Sequence, residues 1–340
     1  MRGRNRIMKK FLAFILALSM TGAFAACAKE TPQETEQTGE KTYKIGIVQL
    51  VEHEALSAAR LGFIDGLKEA GLEDGKNIKI DYQNAAGEQA NCVTIADKLV
   101  NDNSDLILAI ATPAAQAVAN KTSDIPVLVT AVTDPAGAKL VETNAAPGGN
   151  VTGTSDMAPI EKQIELLNKL APNAKNIAML YCSSEANSKI QVEIAKEQCE
   201  ALGLSTFEAT VSNTNEIQQV VQSLVGKADA IYVPTDNMIA SSMATVAMVT
   251  TEAGIPIIVG EEGPVKNGGL ATYGLSYYNL GKQTAAQAVK ILVDGEKPAV
   301  MPIEYLENTD LFINEDVAEA LGIKIPDELK EKAQFVKTNA

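Results

Sequence analysis

Residues 106–120 read LILAIATPAAQAVAN, and this run decides the fold class. Its first five residues, Leu106 to Ile110, are continuously apolar, the pattern of a strand covered on both faces. Thr112 and Pro113 then punctuate the chain. Threonine is a good helix N-cap, and proline suits the first helical turn, where its missing N–H has no partner to lose. Pro113 to Asn120 continues as a helix. A buried strand turning straight into a helix is half of a parallel β-α-β unit.

The same rhythm extends both ways. Upstream, Lys44–Val48 (KIGIV) reads as a strand, 58–70 as an amphipathic helix ending at Gly71, Ile78–Tyr82 as a strand and Gln89–Asn101 as a helix. Downstream comes a strand at Val127–Thr130, and then the loop Asn144–Asn150 (NAAPGGN) breaks the pattern. After Val151–Gly153 it restarts: helix Ile160–Leu170, strand Ile177–Cys182, helix Glu185–Leu202, strand Ser205–Ala209 and helix Glu216–Val225. Strand Ala230–Val233, helix Met238–Ala253 and strand Pro256–Val259 follow. Two doubly wound α/β units in series predict two Rossmann-like lobes facing a cleft. No GxGxxG or GxxxxGK run stands at a strand end, so no nucleotide cofactor is expected.

In open α/β sheets ligands sit beyond the carboxyl ends of the strands, near helix N-termini with unpaired N–H groups. The candidates are therefore Gln49–Glu54, Thr112, Pro113, Thr133, Asp134, Ser183, Ser184, Glu185, Asn187, Thr235, Asp236, Asn237 and Glu261. Thr112, Thr133, Ser183 and Ser184 offer donors for an anionic group. Asp236, between a strand and a helix, is the candidate counter-ion for an amine. Tyr273 is a candidate for the pocket wall.

Composition narrows the chemistry. His53 is the only histidine, so neither a His-rich metal site nor HExxH exists, and no GxSxG elbow accompanies it. No metal, no catalytic residue and no cofactor is assigned. The net charge of the chain is −14; residues 1–26 carry five basic and no acidic groups, and their removal leaves about −19. Nucleic acid is a poor partner for such a body. Cys92, Cys182 and Cys199 are an odd set for an exported chain. Thirteen residues of helix would carry Cys199 roughly 20 Å from the loop after Cys182, so these two are not expected to pair.

The N-terminus carries an address. Arg2, Arg4, Arg6, Lys9 and Lys10 precede an apolar run, Phe11 to Met20, that is too short to span a bilayer. Phe24-Ala25-Ala26-Cys27 resembles a bacterial lipobox, although leucine is usual at the Phe24 position. Residues 1–26 are thus read as a lipoprotein signal peptide, Cys27 as the acylated mature N-terminus, and 27–42 as a solvated tether with no hydrophobic period.

Several long runs are similar to a known family. IGIVQLVEHEALSAARLGFIDGL (45–67), LILAIATPAAQAVAN (106–120), IPVLVTAVTDP (125–135), PGGNVTGTSDM (147–157), YCSSEANS (181–188), AIYVPTDN (230–237) and ATYGLSYYNLGKQTA (271–285) resemble ABC-transporter substrate-binding proteins of the tryptophan/aromatic-amino-acid-binding type. The resemblance implies a type I periplasmic-binding fold with three hinge crossings. Lobe 1 would be 43–153 plus 276–305, and lobe 2 would be 154–275 plus 306–336. It implies a lipid-anchored monomer on the extracytoplasmic face that binds an amino acid, aromatic by resemblance, in the cleft. A hinge closure would follow, and an ABC permease would be its partner. The ligand carboxylate would meet Thr112, Thr133, Ser183 and Ser184, and its ammonium Asp236. On residues alone a lipid-anchored sensor, a sugar or nucleoside importer subunit, and an enzyme using cleft carboxylates stay open.

Overall fold

Each apolar run becomes a strand in one of two sheets. The computed structural model describes residues 42–339; the residues read as signal peptide, Cys27 and nearly all of those read as tether lie outside the described residues. The chain builds β1 (Tyr43–Gln49), α1 (Glu54–Glu69), β2 (Ile78–Asn84), α2 (Gln89–Asn101), β3 (Leu106–Ile110), α3 (Thr112–Ala119), β4 (Val127–Val132) and β5 (Val151–Ser155). It then adds α4 (Ile160–Leu170), β6 (Asn176–Cys182), α5 (Ala186–Ala201), β7 (Ser205–Val211), α6 (Ile217–Gln222), β8 (Ala230–Val233), α7 (Asn237–Ser241) and α8 (Met243–Glu252). Next come β9 (Ile257–Val259), α9 (Glu262–Lys266), β10 (Ala271–Gly274), α10 (Tyr277–Leu292) and β11 (Glu304–Tyr305). The chain finishes with β12 (Asp310–Asn314), α11 (Glu315–Ala320), α12 (Asp327–Lys330) and β13 (Ala333–Val336).

The first sheet has the order β11-β5-β4-β3-β1-β2, and the second β13-β12-β10-β9-β8-β6-β7. The first is parallel throughout; in the second only β12 runs against β10. Both sheets share one winding: the first strand of each lobe is flanked by the second on one side and the third on the other. The direction of winding therefore reverses between β1 and β3, and again between β6 and β8. These are the switch points where open sheets leave a crevice for ligand.

The chain passes between sheets three times, after β5, after β10 and after β11. Strand β5 stays in the first sheet through Ser155, where it pairs with Tyr305 of β11. The first crossing therefore follows Ser155 rather than Gly153. After the second crossing α10 returns to pack on α1. A Cβ on Gly62 would stand 1.9 Å from the Tyr278 carbonyl oxygen, and one on Gly281 2.0 Å from the Ala59 carbonyl oxygen. Glycine at both positions lets the two helix backbones touch.

Local physics moves several sequence boundaries. The N-cap of α3 is Ala111, at φ +81°, and Thr112 is already helical with no side-chain cap bond. Ala111 donates to Thr130 O of β4 and accepts from Ala115, so strand and helix share one residue and leave no place for a threonine cap. The helix read at Met238–Ala253 breaks at Ser242 into α7 and α8. Helix α10 starts at Tyr277, where the Ser276 hydroxyl caps it by accepting from Asn279 N. Toward the C-terminus a single helical turn, α12, is followed by strand β13, and neither β12 nor β13 is among the strands that the sequence pattern marks. Cys92, Cys182 and Cys199 are buried free thiols. Among the described residues, no helix is long and apolar enough to cross a membrane.

Candidate functional site: the interlobe cavity

A cavity of about 390 Å³ lies where the two switch points face each other. The first lobe contributes Leu50 and Val51 after β1, Pro113 after β3 and the turn 86–90 after β2. The second contributes Cys182, Ser184 and Glu185 after β6, Asn237 and Met238 after β8, and the loop 212–215 after β7. The volume suits one small organic ligand.

Glu185 dominates the wall electrostatically. Its Oε2 accepts from Asn187 Nδ2 at 3.1 Å, Asn237 N at 3.2 Å and Asn237 Nδ2 at 2.5 Å. Its Oε1 accepts from Met238 N at 3.1 Å. The carboxylate thus sits at the start of α7, yet burial, with the Asp236 charge behind it, pushes its pKa upward. Among the described residues, no lysine or arginine lines the cavity. A buried carboxylate without a cation is costly, by several kcal/mol in a low-dielectric site.

Asp236, the expected amine partner, has its oxygens committed elsewhere. Oδ1 caps α7 by accepting from Ile239 N at 2.9 Å, while Oδ2 accepts from Cys182 N and from Ser188 Oγ, each at 2.7 Å. It is buried behind the wall and holds β6, α5 and α7 together. Its position at a strand end is as expected, but with three acceptor directions taken and no place in the cavity wall it braces the wall from behind.

The remaining candidates divide. Pro113, Ser184, Glu185 and Asn237 line the cavity; Thr112, Thr133, Asp134, Ser183, Asn187, Thr235, Glu261 and Tyr273 do not. Thr133 Oγ1 meets Thr235 Oγ1 at 3.2 Å across the lobes, and Gln191 Nε2 reaches both hydroxyls. Asp134 accepts from Asn144 Nδ2 at 3.0 Å, and Ser183 donates to Val211 O at 3.3 Å. Asn187 braces Glu185. Tyr273 packs on the second-lobe core, and its carbonyl accepts from the buried Gln163. The strand-end argument missed the turns 86–90 and 212–215 because it skipped the edge strands β2 and β7, whose carboxyl ends face the same crevice.

The lobes are shut on each other. His53 Nε2 faces Asn237 Oδ1 at 3.1 Å, and Gln89 Nε2 donates to Ser184 O at 3.2 Å. Lys266 of α9 pairs with Glu54 at the start of α1 and with Glu262 at 2.7 Å. Burial holds the His53 pKa down at about 4, so the imidazole is neutral at physiological pH.

Two doubly wound lobes, three crossings and a small-molecule cavity closed between switch points define a two-lobed ligand-binding protein. Residues 44–337 match the family described as ABC transporter substrate binding protein. The chain belongs to that family, whose members serve ABC importers on the extracytoplasmic side. It is 44% identical over 322 residues to a tyrosine-binding protein of Clostridioides difficile, covering 94% of this chain and 93% of that one. It is 42% identical to an ABC domain from Streptococcus pneumoniae solved in complex with L-Trp, with a TM-score of 0.84 over 87% of this chain and all of that one. A ligand-free, open substrate-binding protein from Clostridium difficile is 48% identical with the same coverage, yet gives a TM-score of 0.67. The higher identity with the lower score fits a change in lobe angle, since rotating lobes as rigid bodies lowers a global score without altering either lobe. The cross-lobe bonds make this structure a shut one.

Proposed function

We propose that this protein captures an aromatic amino acid in the interlobe cavity and delivers it to an ABC permease. The observation that carries the reading is Glu185: a buried carboxylate in a ligand-sized cavity to whose wall the described residues bring no lysine or arginine. An ammonium about 4 Å away gains roughly 4 kcal/mol at an effective dielectric of 20. The ligand carboxylate lies against Ser184 and the unpaired N–H groups that open α2 at Gln89 and Ala90, a helix start suited to an anion. Leu50, Val51, Pro113 and Met238 supply the apolar walls for the ring. The tyrosine-binding and L-Trp-bound relatives support the aromatic class. No catalytic step enters this reading.

The test is a thermal-shift panel on protein unfolded and refolded to strip carried ligand. L-tryptophan, L-tyrosine and L-phenylalanine are compared with sugars and nucleosides. A ligand at 100 times its Kd stabilises by about 2.7 kcal/mol. Shifts confined to sugars or nucleosides would overturn the proposal.

The same reading makes the protein a monomer tethered at Cys27, which lies outside the described residues. Labelled palmitate is expected to enter the wild-type protein in cells and not the Cys27→Ala variant, which should appear in the medium. Equal labelling of both would remove the anchor and leave the binding function untouched.

A further inference from the structure

One cross-lobe contact runs directly to the carboxylate in the cavity wall. Asn237 Nδ2 donates to Glu185 Oε2 at 2.5 Å, and the Asn237 backbone N–H meets the same oxygen at 3.2 Å. With a ligand ammonium beside it Glu185 is ionised, and a carboxylate only accepts. The Asn237 amide therefore turns its nitrogen to Glu185 and its oxygen toward the first lobe. There Oδ1 lies 3.1 Å from His53 Nε2. An amide oxygen has no proton to give, so His53 is the donor.

We propose that His53 is the positioning residue that couples an occupied Glu185 to closure of the lobes, through its Nε2–H bond to Asn237 Oδ1. This rests on the ligand-binding reading above and gives that site its link to the hinge.

The imidazole is neutral, because burial holds its pKa down, so it carries one proton and one lone pair. A proton on Nδ1 instead would set the Nε2 lone pair against Asn237 Oδ1 at 3.1 Å, acceptor against acceptor. Turning the amide over would relieve that clash and create another, since Oδ1 would then face Glu185 Oε2 at 2.5 Å. Each choice fixes the next. The ammonium keeps Glu185 ionised, the carboxylate orients Asn237, and Asn237 selects the imidazole tautomer. The His53 side chain is 6% exposed and Asn237 8%, so water does not replace the bond while the lobes are shut.

The contact belongs to the shut protein. His53 follows β1, and its carbonyl accepts from Ser57 N at 3.0 Å to open α1; Asn237 follows β8 and opens α7. Strand β1 stands three strands from β5, and β8 two from β10, which puts the pair about 10–15 Å to the side of those crossings. At the crossings themselves the Tyr277 hydroxyl donates to Asp156 Oδ2 at 2.7 Å and ties the first two together. Rotation of the lobes about the crossings parts His53 from Asn237. His53 does not line the cavity, so replacing it leaves the ligand's own contacts in place.

The test is calorimetry with L-tryptophan and L-tyrosine on wild type, His53→Phe and His53→Gln, together with nitrogen NMR of histidine-labelled wild type. His53 is the only histidine, so in protein without a histidine tag one imidazole gives the whole signal. His53→Phe keeps a ring and leaves Asn237 Oδ1 buried without a donor; affinity is expected to fall by about 5- to 150-fold. His53→Gln carries an amide N–H to the reach of Nε2 and should recover most of that loss. In liganded wild type the proton should sit on Nε2, with Nδ1 bare. Unchanged affinity in His53→Phe, an equal loss in both variants, or a proton on Nδ1 overturns the inference. If neither amino acid binds wild type, the functional reading has failed instead. The inference is then judged on the ligand-free protein by X-ray scattering, because the bond favours the shut form whatever fills the cavity: His53→Phe should be more expanded than wild type, and equal radii overturn it.

Discussion

Glu185→Gln is expected to weaken binding of an aromatic amino acid by between tens and thousands of fold while leaving the protein folded. The substitution keeps the side chain's size and one carbonyl oxygen, enough for the Asn237 and Asn187 donors that meet on Oε2; it removes the charge and turns Oε1, the acceptor for Met238 N, into an amide NH2. Breaking one partner of a buried, hydrogen-bonded charge pair costs about 2–5 kcal/mol, much of it from the ion left unpaired. Here that ion is the ligand ammonium. The unliganded protein should move the other way. Burial and the Asp236 charge already disfavour the ionised Glu185, so a neutral side chain relieves strain and the melting temperature should hold or rise. Calorimetry and thermal melts on the same preparations check both halves. A variant with unchanged affinity would take the ammonium away from Glu185 and would leave the cavity without an assigned ammonium site.

Gly281→Val is expected to destabilise the protein by at least about 3 kcal/mol, the upper range for forcing volume into a packed contact. Even the Cβ would stand 2.0 Å from Ala59 O and 2.8 Å from Phe63 N, both backbone atoms of α1 that no rotamer change can move. The helices must separate. Their separation uncovers Phe63 and Leu280, which are fully buried in the first-lobe core. For a chain of this length the melting temperature should fall by on the order of 10 °C. Gly149→Ala serves as the control, since its Cβ would meet nothing within 4 Å; it should stay within about 0.5 kcal/mol of wild type. Equal melting temperatures for the two variants would mean that α1 and α10 are not in backbone contact.

The strand–helix alternation was legible because parallel strands covered on both faces must be continuously apolar. LILAI at Leu106–Ile110 leaves no other reading. Strands β12 and β13 were not legible. DLFIN and AQFV are short and partly polar, and they take strand form by pairing beside β10 at the edge of the second sheet. The return of α10 to the first lobe came from the family resemblance; periodicity shows that a helix is amphipathic, not which sheet it covers.

The site was legible as a set of places and less so as a set of roles. Strand ends located Glu185, Asp236 and Asn237 together, but sequence position says nothing of which oxygen lone pairs are free. That is settled by Cys182 N and Ser188, residues far from Asp236 along the chain that fill its acceptor sites. The Asp156–Tyr277 bond joins residues 121 apart, a separation no local pattern can register.

The glycine contact between α1 and α10 also sets an order of events. Residues 54–69 emerge early, but the helix that covers their glycine face is 277–292, and the whole second lobe except its last elements lies between. The lobe that begins first is finished only after nearly all of its neighbour has been made. Until then α1 keeps an uncovered seam, and the chain cannot lock prematurely into a rigid half-molecule. If residues 1–26 act as the proposed leader and the chain crosses the membrane as an unfolded thread, delayed completion is an advantage: threading stays ahead of folding.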